Sequence, residues 1–278
     1  MPEDRRVQVN GLSLHYRNFG AGDKPAILFM HGLMGNCYAF DHVAPKFAST
    51  HRVLTMDFRG HGDSDWNSDG DYALRRHVSD VFGVLAATEI RRVTLIGSSL
   101  GGAVATVIAA RKPDLVERVV LNDVGPEIDA AGLREAEKRP SLVEQDFRDI
   151  GEALAYYKRS YPPVETLPDA VATELVRNST RVADNGRLRW KTDPRVQVAT
   201  RPSDESAPAA DLWPLFEAVK APILVVRGAE SDILLPATVA KMCSCHPGTK
   251  AVEVPRVGHT PWLSEPEALA ALRAFLLV

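Results

Sequence analysis

Four short, almost wholly apolar runs recur through the first half of the chain: "PAILFMHG", "HRVLTMDFRG", "RRVTLIG" and "VERVVLND". They are continuous rather than alternating, the pattern of strands buried on both faces. Such strands pair in parallel, and parallel neighbours need a long crossover, normally a helix packed on the sheet. The segments between them fit. Residues Tyr72–Ala87 place Leu74, Val78, Val81, Phe82 and Leu85 on one helical face, and "LGGAVATVIAARK" reads as a helix stopped at Pro113. The stretch around Tyr38–Phe47 is weakly helical. Ahead of them, "RRVQVNGLSLHYRNFG" is a hairpin turning at Asn10-Gly11. The class is α/β, a mostly parallel sheet flanked by helices.

The alternation stops after Pro126. It resumes with the strand "APILVVRG", a helix near Pro236–Cys243, the strand "KAVEVP" and a final helix from about Pro266 to Phe275. The intervening segment is charged and helical in pattern, with no obvious core strand. It is expected to be a helical cap, residues 127–208, inserted into one core made of residues 1–126 and 209–278. "RPSDESAPAAD", at 201–211, is the most linker-like stretch and is read as the return from the cap.

Composition narrows the partners. At 278 residues the chain buries a full core without staples, and a net charge of −3 leaves no footprint for nucleic acid or an anionic membrane. No run approaches the ~18 apolar residues of a membrane span, and the charged start "MPEDRRVQVN" is not a secretory signal. Three cysteines, Cys37, Cys243 and Cys245, suggest a reducing compartment, so a cytoplasmic setting is expected. "CSCH" at 243–246 lacks the second ligand pair of a zinc finger and reads as a helix end entering a turn. Neither a metal nor a cofactor is expected. The partner is a small-molecule substrate, and a monomer or a homodimer fits equally.

The stretch "IGSSLGG" at 96–102 joins a strand to a helix. A nucleophile on such a turn must project into open space, so the residues two before and two after it must be glycine-sized. Centred on Ser99, those positions hold Gly97 and Gly101; centred on Ser98, they hold Ile96 and Leu100, whose side chains would clash. Ser99 is therefore the candidate nucleophile. A serine hydroxyl needs a base, oriented in turn by a carboxylate. His259, in "VPRVGHTPWLSEP", follows the last strand and has Gly258 beside it. The acid should lie at a strand end. Asp232, in "RGAESDILLP", is favoured, with Asp123 in "VVLNDVG" its rival and Glu230 third. Two amides are expected to hold the oxyanion: that of Leu100, and that of Leu33 (alternatively Met34) in "HGLMG". His31 is expected to brace this loop.

With these residues in place the chain resembles the α/β-hydrolase superfamily, from about residue 5 to 278. The resemblance rests on His31-Gly32 with Gly35, "DFRGHGDS" at 57–64, "GSSLGG" at 97–102 and "GHTPWLSEP" at 258–266. It implies an eight-stranded, mostly parallel sheet with a cap between the sixth and seventh strands. It also implies the triad Ser99, Asp232 and His259, no metal, and a structural rather than catalytic turn at Asp57, Arg59, His61 and Ser64. A serine at the elbow argues against haloalkane dehalogenase and epoxide hydrolase chemistry, which needs a carboxylate there. Carbon–carbon hydrolases of ring-fission products commonly have tryptophan directly after the histidine. Here Thr260 stands in that place and Trp262 two residues later.

The expected activity is hydrolysis of a small-molecule ester or related acyl bond, of carboxylesterase or lactonase type. One alternative is a carboxylate-bearing substrate, cleaved at a carbon–carbon or amide bond. It draws on "NGRLRWKTDPRV" at 185–196, where Arg187, Arg189, Lys191 and Arg195 surround Trp190. Arg189 and Trp190 are candidate substrate contacts there, and Met34 and Trp262 candidate walls of the acyl pocket. A solvated basic face is the competing reading of that stretch. The other alternative is a non-catalytic small-molecule receptor.

Overall fold

The computed structural model describes residues 2–20, 22–138, 141, 143, 145–199 and 211–277. The chain starts as a hairpin of β1 (Glu3–Val9) and β2 (Leu12–Asn18). Asn10 and Gly11 both take positive φ, 51° and 80°, the two-residue turn whose twist matches its flanking strands. Then follow β3 (Ala26–Met30), β4 (Arg52–Met56), α1 (Leu74–Ala87), β5 (Val93–Ser98), α2 (Leu100–Arg111) and β6 (Val116–Asn122). The weakly helical stretch before β4 forms two 3-10 turns, Cys37–Phe40 and Ala44–Phe47.

The cap holds α3 (Ala130–Glu137), β7 (Asp146–Phe147), α4 (Ile150–Ser160), α5 (Asp169–Ser179), β8 (Thr180–Val182), β9 (Leu188–Trp190) and α6 (Pro194–Ala199). It is not wholly helical, because the three short strands form their own antiparallel sheet in the order β7-β9-β8. The chain returns to the core through α7 (Trp213–Ala218), β10 (Ile223–Gly228), α8 (Pro236–Cys245), β11 (Thr249–Val254) and α9 (Pro266–Leu276). The linker-like stretch falls, except for Asp211, outside the described residues. Beside it the two cap connections are joined: Leu212 N–H donates to the Pro126 carbonyl (2.9 Å) and the Trp213 indole to Glu127 (2.8 Å).

The main sheet has eight strands in the order β1-β2-β4-β3-β5-β6-β10-β11, antiparallel at β1, β2 and β4 and parallel from β4 onward. Burial on both faces explains the unbroken apolar runs. In β3, Leu28 and Met30 join a core with α1, α2 and α7, while Ile27 and Phe29 face the core closed by α9. Strand order reverses between β3 and β5, so the loops after these strands diverge and leave a crevice at their C-terminal ends. The cap covers that edge. Its own core takes in Trp262 from the loop after β11, with Met34 and Tyr38 packed against it. Among the described residues, no helix is long and apolar enough to cross a membrane.

Candidate active site

Ser99 lies at the sharp turn between β5 and α2 with φ 47° and ψ −113°, a backbone conformation rarely adopted by a residue with a side chain. Close packing holds it there. A Cβ on Gly97 would collide with the backbone of Gly101 and Gly102, and one on Gly101 with the Met30 carbonyl. The glycine spacing is thus a steric necessity of the turn. Ser98 points the other way: it is buried, and its hydroxyl accepts a hydrogen bond from the Asn122 amide (2.8 Å). Ser99 is partly exposed.

Strand register brings the partners to this point. Ser98 stands opposite Asn122, Asn122 opposite Val226, and Gly228 opposite Val254, so the loops after β5, β6, β10 and β11 leave the sheet side by side. From the last of these, His259 places Nε2 3.1 Å from Ser99 Oγ and Nδ1 2.8 Å from Asp123 Oδ2. With the Nδ1 proton donated to the carboxylate, Nε2 is left to accept from the serine hydroxyl. Asp123, His259 and Ser99 therefore form one continuous hydrogen-bonded chain.

The acid on the imidazole is Asp123, not Asp232. Asp123 directly follows β6 with φ 55°, a left-handed conformation that aspartate tolerates better than most residues and that turns its side chain into the crevice. The carboxylate is fully buried. It accepts Gly228 N–H on Oδ1 (2.9 Å) and the Ser231 hydroxyl on Oδ2 (2.6 Å), besides the imidazole. The Ser231 oxygen in turn accepts the amides of Ile233 and Leu234 (both 3.2 Å), which aims its proton at Asp123. The loop that carries Asp232 thus contributes the neighbouring hydroxyl instead. Asp232 itself is half-buried, its carbonyl so close to Gly132 of α3 that a Cβ there would not fit, and Glu230 is exposed.

Leu100 follows Ser99 directly, and Leu33 follows Gly32, which packs against Ser99. The Leu100 amide opens α2 and is one of its orphan donors, pointing along the positive end of the helix dipole. On the other side the loop after β3 approaches so closely that a Cβ on Gly32 would stand 3.4 Å from that of Ser99. Two buried histidines fix this loop. His31 Nδ1 donates to the Gly32 carbonyl (2.7 Å), which also accepts Gly35 N–H (3.0 Å), while His31 Nε2 accepts Phe58 N–H (3.1 Å). His61 Nε2 donates to the Leu33 carbonyl (2.5 Å). Because a trans peptide points its N–H opposite to its C=O, these two grips set the directions of the Leu33 and Met34 amides. Burial, then the neighbouring His61, pushes His31 down to about 3, so it stays a neutral brace.

The turn at 57–64 is a hydrogen-bonded knot beneath this loop. Asp57 accepts the amides of Cys37 (2.7 Å) and Asp63 (2.9 Å) and pairs with His15 Nδ1 (2.7 Å), and Arg59 grips Asp80 with two 2.6 Å bonds. Among the described residues, His15, Cys37 and Asp57 are the group whose donor atoms converge as metal ligands would. Their hydrogen bonds commit them to the turn. His246 is likewise committed, to Thr249 Oγ1 (2.9 Å) and the Val219 carbonyl (3.1 Å).

The candidate substrate contacts divide. Met34 is partly exposed and packs against the cap core, whereas Trp262 is buried and ties the histidine loop to the cap by donating to the Pro163 carbonyl (2.8 Å). Trp190 is sealed in the cap core against Tyr157, with ring centroids 5.2 Å apart. Arg189, next to it on β9, faces outward and clasps Asp146 with bonds of 2.6 and 2.8 Å. Its basic neighbours are also paired: Arg187 with the Asp146 carbonyl (3.0 Å), Lys191 with Asp63 (2.8 Å) and Arg195 with Asp193 (2.6 Å). The basic face of the cap is thus an ion-paired surface. Asn122 and Tyr161, which sequence reasoning passed over, both contact the histidine loop; only the adjacency of Asn122 to Asp123 was visible in the sequence.

Residues 27–272 match the family described as "Alpha/beta hydrolase family". The chain is 32% identical over 274 residues to a 3-hydroxybutyrate-oligomer hydrolase of Cupriavidus necator, covering 94% of this chain and 91% of that one. It is 31% identical over 255 residues to a 2-(acetamidomethylene)succinate hydrolase of Mesorhizobium japonicum, covering 92% and 88%. Among solved structures, an alpha/beta hydrolase from Novosphingobium aromaticivorans superposes with a TM-score of 0.86 at 35% identity, covering 99% of this chain and 98% of that one.

Proposed function

The chain belongs to the alpha/beta hydrolase family, and on that premise we propose that it is a serine hydrolase cleaving a small-molecule ester through Ser99, His259 and Asp123. The observation that carries this reading is the unbroken chain from Asp123 Oδ2 through both imidazole nitrogens to Ser99 Oγ. Ser99 attacks the ester carbonyl as His259 Nε2 takes its proton, and the buried Asp123 carboxylate stabilises the imidazolium. The Leu100 amide and an amide of the 33–34 loop receive the developing oxyanion. His259 then protonates the departing alcohol, and the same base activates water to release the acid and restore Ser99.

Both relatives are named as hydrolases, which supports the reaction class. The pairing of Arg187, Arg189, Lys191 and Arg195 leaves the 185–196 stretch giving no support to a carboxylate clamp, so an ester is the substrate class proposed. The test is a panel of chromogenic esters together with a phosphonate probe. Turnover is expected, with the probe on Ser99, and Ser99→Ala should lose at least about a thousandfold in kcat. Tight ligand binding with no turnover would identify a receptor instead, and a probe that labelled another residue would remove Ser99 from the mechanism.

A further inference from the structure

We propose that Tyr161, carried by the cap, and Asn122, carried by the core, are positioning residues that clamp the His259 loop, so that alignment of the imidazole depends on the seated cap. The proposal rests on the reading of Ser99 and His259 as the reacting pair. The loop between β11 and α9 has no regular structure to hold it, so its place is set by individual contacts. Two fall on the residues directly after His259.

On the cap side, the Tyr161 hydroxyl accepts Thr260 N–H at 2.9 Å and lies 2.9 Å from Thr260 Oγ1. Its ring is held between Tyr157, stacked at a centroid distance of 5.6 Å, and Trp262, edge-on at 5.9 Å. Trp262 adds the bond to Pro163, two residues beyond Tyr161. The end of α4 and the turn after it are thus bonded to the loop at Thr260 and Trp262, and any shift of α4 reaches His259 across one peptide.

On the core side, Asn122 Nδ2 donates to Ser98 Oγ and to the Pro261 carbonyl, each at 2.8 Å. One amide therefore joins the residue before the nucleophile to the residue two after the base, and Asn122 itself precedes the acid. Its Oδ1 is buried, with no hydrogen-bond partner among the described residues. A buried carbonyl left unsatisfied is costly, and a leucine of similar size would avoid that cost but could make neither donated bond.

Tyr161→Phe keeps the ring and its packing and removes only the hydroxyl. Loss of alignment by a fraction of an ångström to one ångström should lower kcat about 10- to 100-fold, with KM within about threefold. The rate of Ser99 phosphonylation should fall in parallel, while the melting temperature stays close to that of the unchanged protein. The downfield proton resonance expected of the Asp123–His259 hydrogen bond in the unchanged protein should broaden or vanish. Thr260→Val, which keeps the amide, should give a smaller loss, non-additive with Tyr161→Phe. Asn122→Leu should repeat the kcat effect, and where it does not fold the Tyr161→Phe result decides.

A raised KM with unchanged kcat would make Tyr161 a substrate contact and overturn the clamp. So would a lowered melting temperature with unchanged kcat and phosphonylation. If Ser99→Ala is dead while Tyr161→Phe is fully active, the clamp alone fails; if Ser99→Ala is active, the hydrolase reading fails with it.

Discussion

Replacing Asp123 by asparagine should nearly abolish turnover, and replacing Asp232 should not. The Asp123 carboxylate has no solvent contact and takes three donors: Gly228 N–H on one oxygen, Ser231 O–H and His259 Nδ1–H on the other. An asparagine has only one such oxygen. Turned toward His259 and Ser231, it leaves its NH2 facing the Gly228 amide, a buried donor against a donor. Turned the other way, the NH2 faces Nδ1, drives the imidazole proton to Nε2, and removes the acceptor that Ser99 needs. Both orientations also lose the charge that stabilises the imidazolium. For charge centres about 4 Å apart at an effective dielectric of about 20, that is ~4 kcal/mol, or about three decades in rate.

With the tautomer penalty added, kcat/KM on a chromogenic ester should drop about 10³- to 10⁴-fold in Asp123→Asn. Asp232→Asn should stay within about threefold. Ser231→Ala gives a graded control: losing one donor to a charged acceptor is worth about 1.5–3 kcal/mol, so about a 10- to 100-fold fall is expected. Thermal melts on the same variants confirm that each is folded before its rate is read. A collapse of activity in Asp232→Asn with activity retained in Asp123→Asn would refute the assignment.

Three further outcomes test the scaffold. Gly101→Ala places a methyl group against the Met30 carbonyl, and such overpacking should cost about 1–3 kcal/mol; a melt no lower than that of the unchanged protein would contradict the steric account of the elbow. Burial pushes His31 and His77 down to about 3, so both are neutral when folded and titrate near 6.5 when unfolded. Between those values the unfolded chain binds more protons, so stability is full above about pH 6.5 and falls by ~1.4 kcal/mol per pH unit for each ring as pH drops toward about 3. Urea unfolding at a series of pH values should show this slope, and His77→Phe should remove one ring's share; an unchanged slope would contradict it. Arg59→Met leaves the buried Asp80 carboxylate without its charged partner, with the Asn10 amide still on it, and should cost about 3–5 kcal/mol, largely recovered in Arg59→Met with Asp80→Leu; urea unfolding measures both.

Why the sequence pointed to the turn at Ser99 and not to the carboxylate that meets the imidazole comes down to range. The need for glycine at 97 and 101 is local, a clash between atoms a few residues apart, so spacing alone selects Ser99 over Ser98. The buried strands were legible for the same reason, since β3 and β5 contribute alternate residues to two cores and so show no polar face. The cap is different. β7, β8 and β9 are two or three residues long, too short for a periodic signal. Asp146 meets Arg189 only because the strands pair across 43 residues. Once they pair, the two-residue repeat of a strand sends Arg189 outward, in keeping with the reading of a solvated basic face, and Trp190 into the cap core rather than toward a substrate.

The acid is the sharper case. Asn122 pairs with Val226 and β10 runs on two residues to Gly228, so the chain just past β6 and the β10 loop both emerge beside the imidazole. A carboxylate from either loop could reach one point in space, and chain order Ser, acid, His holds for both. What separates them is backbone direction: the left-handed turn at Asp123 aims its side chain inward, and the β10 loop answers with the Ser231 hydroxyl. That arrangement gives the loop after β10 a second load. The Asp232 carbonyl packs against Gly132, and the Ile233 carbonyl accepts Asp129 N–H (3.1 Å) at the start of the cap. One short loop therefore supports the carboxylate through Ser231 and the first cap helix through the next two residues. Gly132→Ala, which drives a methyl group against the Asp232 carbonyl, should therefore lower turnover of a chromogenic ester through the loop that holds Ser231, and unchanged turnover in the folded variant would contradict the link.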